Sequence, residues 1–364
     1  MHTIVLQHSD YTQEIAKAVD VLRAGGLILF PTETTYGAGV DALNPAAVQK
    51  LLAYKSRREG KPLSIAVTSQ EMAEQYVELN ESAKALYKRF LPGPVTVISK
   101  GKHTVAPGVE SEFGTLGIRI PKYQLVLDLL KAFGRPITAT SANGSGEKRP
   151  YSIQDVMDGL SEKQKSLIDL VVDAGELEHN PPSTVIDTTL SAPVIFRQGD
   201  VQATEHNQNS SSLELISSSE DETKDIAKRL LLKNWSYVST TGLIIGLNGS
   251  LGMGKTIFVK GAAEFLQITD TITSPTYSYV EEYDFNRHGA LGKLFHLDVW
   301  KIESEQELER LAFESMLRPQ TVVIVEWVST IAPFLPSLLS KHPLKYVEVS
   351  FREEDGKRYL SIRE

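Results

Sequence analysis

The chain has 364 residues, 41% hydrophobic and 23% charged, which supplies apolar material for two packed cores of ordinary size. It has no cysteine, which excludes disulfides, thiolate metal sites and thiolate nucleophiles and fits a reducing, cytoplasmic setting. The net charge of −8 divides into 21 basic against 23 acidic side chains in residues 1–200 and 17 against 23 beyond, so neither half carries the basic excess of a protein that grips nucleic acid unaided.

No basic n-region followed by an apolar stretch opens the sequence, so no signal peptide is expected. No apolar run approaches the roughly 18 residues that span a bilayer, so no membrane partner is expected either. In chain order, Ile15, Ala18, Val19 and Leu22 recur at helical spacing, and Gly25-Gly26 ends the pattern. Leu27-Ile28-Leu29-Phe30 is a short apolar run of the kind a buried strand needs, and similar runs occur at Leu63–Val67, Val95–Ile98 and Gly117–Ile120. Helical and strand patterns interleaved in this way predict an α/β domain over residues 1–200.

The polar motifs follow the strands. Pro31-Thr32-Glu33-Thr34-Thr35-Tyr36-Gly37 comes directly after Phe30, and a hydroxyl-rich loop at a strand's C-terminal edge suits a polar ligand. Taken alone it also reads as an N-capping turn. A cationic cluster follows: Lys50, Lys55, Arg57, Arg58 and Lys61. On a helix Lys55 and Arg58 share a face while Arg57 points elsewhere, and Lys50 and Arg58 read as solvated. Further on come Leu91-Pro92-Gly93-Pro94-Val95-Thr96, Arg119-Ile120-Pro121, Thr140-Ser141-Ala142-Asn143, Ser183-Thr184-Val185-Ile186-Asp187 and Arg197-Gln198-Gly199. Convergent Arg, Lys, Ser and Asn, with no nucleophile triad and no paired Glu, point to phosphate binding and not to hydrolysis.

The ordered set PTETTYG, KSR, KPL, LPGPVT, RIP, TSAN, STVID and RQG resembles the YrdC/TsaC family over residues 9–200. The resemblance implies a twisted mixed-sheet α/β domain that joins L-threonine, bicarbonate and ATP into L-threonylcarbamoyladenylate and releases pyrophosphate. It further implies that Lys55 and Arg57 hold the triphosphate and that Ser141 and Asn143 line the nucleotide site. Arg197 would close near the phosphates, and Ser183 would lie close to both ligands. Thr32, Thr35, Lys61 and Arg119 would serve the threonine or bicarbonate side. Arg58 stands where the family usually has proline, which leaves the loop bearing Lys61 less rigid.

Residues 201–212 are polar, lack hydrophobic periodicity and hold an Asn/Gln/Ser cluster, so they read as a flexible linker. A second domain is expected over residues 213–364. Ser219 with Glu222 three residues on forms a capping-box signature, and Ile226, Leu230 and Leu231 follow at helical spacing. Leu243-Ile244-Ile245-Gly246-Leu247 then runs into Gly249-Ser250-Leu251-Gly252-Met253-Gly254-Lys255-Thr256, which fits the P-loop pattern with a strand before it and a helix after it. Gly249, Gly252 and Gly254 let backbone N–H groups curl around phosphate oxygens. Lys255 reaches the β- and γ-phosphates in such loops, and the Thr256 hydroxyl ligates Mg²⁺. Downstream lie Ser274-Pro275-Thr276-Tyr277, His296-Leu297-Asp298, and an apolar run ending in Glu326-Trp327. A strand-tip carboxylate near a P-loop can hold a Mg²⁺-bound water or orient the attacking water.

The order GSLGMGKT, SPTY, HLD, EW resembles the TsaE family, small P-loop NTPases of the same tRNA modification, over about residues 213–364. By that resemblance Thr276 belongs to a switch loop, Asp298 positions metal or water, and Glu326 with Trp327 serves hydrolysis and the nucleotide site. The implied partner is a TsaD/TsaB-type transferase complex, with tRNA reached indirectly through it. Ser250, Met253, Trp300 and Lys301 depart from the usual pattern without touching the Lys or Thr chemistry. Two other readings stand beside this one: an RNA-binding first half, whose affinity would fall steeply with salt, and a small-molecule kinase, whose acceptor pocket and arginine-bearing lid have no counterpart beyond Arg310 and Arg318.

Overall fold

Thr12–Arg23 is a helix that buries Ala18, Val19 and Leu22, the stripe marked by sequence spacing, and it ends at Ala24 just before the paired glycines. This computed structural model describes residues 1–6, 11–55, 63–144, 147–201 and 212–364. Arg57, Arg58, Lys61 and residues 202–211 of the expected linker lie outside the described residues. The chain forms two compact units, Met1–Thr189 with Pro193–His206, and Asn207–Glu364 with Leu190–Ala192.

The first unit has two mixed sheets. One runs in the order His2–Val5, Leu170–Asp173, Ile28–Phe30, Gly37–Gly39, Thr140–Ser141, with the first three strands parallel and the last two joined antiparallel. The other runs Val194–Arg197, Thr184–Asp187, Val95–Gly101, Thr115–Arg119, Ser64–Ala66, Ile137–Thr138, with Val77–Glu78 added alongside Val95–Gly101. Each of the apolar runs in the sequence becomes a short strand here. Ile28, Leu29 and Phe30 are buried on both faces, which is why that run is continuous and not alternating. Ala18 and Leu22 pack with Val126 and Leu130 of the helix Gln124–Phe133 on one side of the first sheet. That helix ends at Gly134, whose φ of 74° is the left-handed cap a side chain would resist. Lys50, expected in solvent, instead pairs with Asp169, which also accepts from the Leu27 backbone N–H.

The second unit is one seven-stranded sheet in the order Leu213–Ser217, Lys357–Arg363, Lys345–Glu354, Leu243–Asn248, Thr321–Glu326, Ala290–Asp298, Val280–Arg287. The four strands from Lys345–Glu354 to Ala290–Asp298 are parallel, so their C-terminal ends share one edge. The central strands Leu243–Asn248 and Thr321–Glu326 are buried along almost their whole length, Thr321 and Glu326 included. The long helix Glu220–Thr240 is capped by Ser219, whose hydroxyl accepts from the Glu222 N–H at 3.1 Å. Glu222 reaches back past the cap to the Ser218 N–H, so the capping box closes one residue further out than the sequence pattern predicts. Trp235 of this helix meets Phe265 of the P-loop helix edge-on, ring centroids 5.5 Å apart.

Candidate functional site

In the first unit the loop after Phe30 is held by its own hydroxyls. Thr32 Oγ1 donates to Thr35 O at 2.7 Å and accepts from the backbone N–H groups of Thr34 and Thr35. Its hydroxyl is thereby spent within the turn, which leads into the strand Gly37–Gly39 and not into a helix, so the N-capping reading does not hold. The hydroxyl that reaches across the unit is that of Thr34, which accepts from Arg119 Nη2 at 2.9 Å. Arg119 also pairs with Glu33 at 3.2 Å. Thr34 carried no distinct signal in the sequence, because three threonines in four positions are indistinguishable without the fold. Thr35 is buried beside it.

Lys55 is the last residue of the helix Pro45–Lys55 and is buried, with its ammonium donating to Ser141 O at 2.7 Å and to Asn143 O. It therefore clamps the Ser141–Asn143 segment, and the Tyr54 hydroxyl does the same to Ala142 O. Asn143 Nδ2 donates to Glu147 O at 2.9 Å. At the other wall, Arg197 donates to Ser183 twice, from Nε to the carbonyl at 3.0 Å and from Nη2 to Oγ at 2.9 Å. Thr96 Oγ1 lies 3.2 Å from the same Ser183 Oγ. Gly199 is required here by close approach: a Cβ would stand 2.1 Å from Pro182 O.

The electrostatics of this wall favour an anion. Burial pushes the Arg197 pKa down, and the neighbouring guanidinium groups of Arg119 and Arg149 push it further the same way. Arg197 is exposed, but its Nε and Nη2 are turned onto Ser183. Like charges so placed are stabilised by a polyanion. Arg149 was not singled out in the sequence, since it belongs to no motif there. At this site Glu33 Oε2, Arg119 Nε and Asn143 Oδ1 are buried without a hydrogen-bond partner among the described residues, as is Tyr87 Oη elsewhere in the unit.

In the second unit the P-loop leaves the strand Leu243–Asn248 and enters the helix Lys255–Leu266. Gly249, Gly252 and Gly254 have φ of 145°, 83° and 97°, backbone that L side chains resist, so the glycine pattern is set by the shape of the loop. Lys255 is buried and donates to Gly249 O at 2.8 Å and Ser250 O at 3.0 Å, and its ammonium lies 4.2 Å from the centre of the Trp327 ring. Burial pushes the Lys255 pKa down, against the opposing pull of Glu326 and Asp298.

Two parallel strands put Asp298 and Glu326 in register side by side, and Leu247 is level with Glu326. Thr256 Oγ1 donates to Glu326 Oε1 at 3.1 Å. Thr276 Oγ1 donates to Asp298 Oδ2 at 3.1 Å. Burial pushes the Asp298 carboxyl pKa up, and the charge of Glu326 adds to that. Lys255, Thr256, Thr276, Asp298, Glu326 and Trp327 thus converge at the C-terminal edge of the sheet. Fully buried His296 joins them, its Nε2 2.9 Å from Glu326 Oε1. Its role was missed because it was read only as a neighbour of Asp298.

Thr256, Asp298 and Glu326 offer only oxygen donors, which suit a hard cation such as Mg²⁺. Among the described residues no group of three His, Cys, Asp or Glu could hold a metal by itself. Few protein ligands, completed by phosphate and water, is the usual arrangement for Mg²⁺, so the residues present fit it. No helix among the described residues is long and apolar enough to cross a membrane.

A mixed-sheet unit with clustered guanidinium groups, followed by a second mixed-sheet unit with a P-loop at the edge of its four parallel strands, defines a two-domain α/β protein with a candidate site in each domain. The Sua5/YciO/YrdC family model, described as telomere recombination, matches residues 20–199, and the model for threonylcarbamoyl adenosine biosynthesis protein TsaE matches residues 217–360. A threonylcarbamoyl-AMP synthase of Pyrococcus abyssi is 32% identical over 246 residues, 67% of this chain and 71% of the relative. A threonylcarbamoyl-AMP synthase of Bacillus subtilis is 35% identical over 190 residues, 52% of this chain and 54% of the relative. The crystal structure of P. abyssi Sua5 complexed with L-threonine aligns with a TM-score of 0.51 at 23% identity, covering 89% of this chain and 92% of that one, a likeness of fold. The chain belongs to the threonylcarbamoyl-AMP synthase family, carries a TsaE domain after the synthase domain, and falls in threonylcarbamoyladenosine biosynthesis.

Proposed function

We propose that the chain is bifunctional. Its first half joins L-threonine, bicarbonate and ATP into L-threonylcarbamoyladenylate, and its second half hydrolyses ATP in support of a separate TsaD/TsaB-type transferase complex acting on tRNA. In the first reaction the threonine amine and bicarbonate condense to a carbamate with loss of water; a carbamate oxygen then attacks the α-phosphorus of ATP, the bond to the bridging oxygen breaks and pyrophosphate leaves. Such chemistry needs alignment and stabilisation of phosphate charge more than a protein nucleophile. The observation that carries the reading is Arg197, held on Ser183 with Arg119 and Arg149 near enough to lower its pKa. Lys55 fixes the Ser141–Asn143 segment against which the nucleotide would lie, and Arg57 and Lys61 complete the cationic side by family resemblance. Thr32 shapes the substrate loop from within, and Thr34, Thr35 and Arg119 present its polar groups.

In the second half the P-loop N–H groups and Lys255 hold the phosphates. Glu326, kept in place by Thr256 and His296, orients the attacking water, and Thr276 reports the nucleotide through Asp298. Mg²⁺, when bound by Thr256 and Asp298, would neutralise phosphate charge. The test is mass detection of the threonylcarbamoyl adenylate, with pyrophosphate release, from ATP, Mg²⁺ and bicarbonate with and without L-threonine. Threonine-dependent formation of both products is expected. Pyrophosphate release that ignores threonine, with no adenylate mass, would sink the synthase reading and favour simple RNA binding by the first half.

A further inference from the structure

Arg358 is an arginine of the second unit that no motif includes, and it lies against the P-loop. A Cβ added to Gly254 would stand 3.0 Å from Arg358 Nε, 3.2 Å from its Cδ and 3.6 Å from its Cζ. The residue is half-buried on the strand Lys357–Arg363. It faces Glu353 across one strand pair and Ser217 across the other. Even so, its guanidinium makes no hydrogen bond and no ion pair with any described residue. Opposite charges directly across a strand pair usually meet, and a fork of five donors beside protein is usually engaged. Here it is left open beside the loop built to receive an anion.

Its level in the sheet is also that of the site. Ser350 is in register with Asn248, the last residue before the P-loop, so Glu353 and the facing Arg358 lie past the C-terminal end of Leu243–Asn248, at the edge where ligands bind in open α/β sheets. The sheet order then separates two ends of a ligand. Glu326 and Asp298 stand on the first and second strands to one side of Leu243–Asn248, and Arg358 stands on the second strand to the other. The carboxylates with Thr256 mark the side of the terminal phosphate and its cation. A ligand threaded through the P-loop must present its other end toward Arg358.

From this juxtaposition we propose that Arg358 binds the nucleoside end of the nucleotide in the P-loop site, contacting the α-phosphate with the base beside it, and makes no contact with the γ-phosphate. The proposal rests on the reading of the P-loop site as a nucleotide site. A planar guanidinium suits both parts, donating to phosphate and stacking on a base.

The test is calorimetric titration of the full chain with ADP and with ATP. The P-loop share of binding is defined as what Lys255→Ala removes, because the first half also takes nucleotide. Arg358→Ala should weaken that share for ADP and for ATP by the same factor, about tenfold. Arg358→Met, which keeps the stem packed on Gly254 and removes the charge, should lose as much. Both variants should keep the parent's thermal unfolding and its threonine-dependent pyrophosphate release. Unchanged ADP affinity in Arg358→Ala and Arg358→Met would overturn the inference while leaving the P-loop reading intact, as would weakening of ATP alone. If Lys255→Ala itself removes no nucleotide binding, the P-loop reading falls and this inference with it.

Discussion

The two candidate sites are built in opposite ways. In the second unit the machinery is gathered locally: the loop Gly249–Gly254 runs straight into Lys255 and Thr256 at the start of a helix, and two neighbouring strand tips add carboxylates in register. In the first unit the machinery is side chains from segments far apart in sequence, with Arg119 meeting Thr34 and Glu33, Arg197 meeting Ser183, and Lys55 meeting Ser141 and Asn143. The second site depends on the glycines of one loop, on Lys255, and on hydroxyls and carboxylates gathered at one sheet edge. A site made of scattered guanidiniums depends on each partner being held by another, so single losses there should propagate through the partner left behind.

Arg197→Ala separates the two designs most sharply. It removes the cation and leaves the Ser183 carbonyl and hydroxyl without their donor. Threonine-dependent pyrophosphate release should fall by roughly 100-fold, while phosphate release from the P-loop stays at the parent rate. An equal fall in both products would show that the sites are not independent.

Asp298→Asn makes a smaller change of a different sign. The folded carboxyl has a pKa above its ordinary value of 3.8, chiefly from burial. Between the unfolded and folded pKa values the folded state binds more protons, so this group's contribution to stability falls as pH rises through that window, and the full penalty persists at neutral pH. The asparagine variant should melt higher than the parent at pH 7, on the scale of about 2–4 °C per kcal/mol for units of this size. The difference should vanish near pH 3, where the carboxyl is protonated in both states. Its phosphate release should drop, since an amide is a poorer partner for a cation. A lower melting midpoint at pH 7 would mean that the carboxylate is stabilised where it lies, against the account of a group strained for function.

What the sequence made readable follows the same division. The P-loop was legible because its chemistry is contiguous and its glycines answer to backbone φ, a local property. The short apolar runs of the first half were legible because burial on both faces leaves no polar interruption. Interactions over long separations were not. The pairing of Lys50 with Asp169 turned an apparently solvated lysine into a brace, and nothing near residue 50 announces it. Thr34 could not be told from Thr32 or Thr35 until the fold spent the Thr32 hydroxyl on the turn. His296, Arg149 and Arg358 owe their places to strand register and neighbouring charge, which no single segment encodes.

The central claim is that one chain holds two independent nucleotide chemistries. It is tested most directly by measuring pyrophosphate and inorganic phosphate in the same reaction for Lys255→Ala, with ATP, Mg²⁺ and bicarbonate, and with L-threonine added or withheld. Threonine-dependent pyrophosphate at the parent rate, with phosphate release reduced by roughly 100-fold, is the predicted result. Loss of pyrophosphate together with phosphate in this variant would contradict it, placing both reactions at the P-loop.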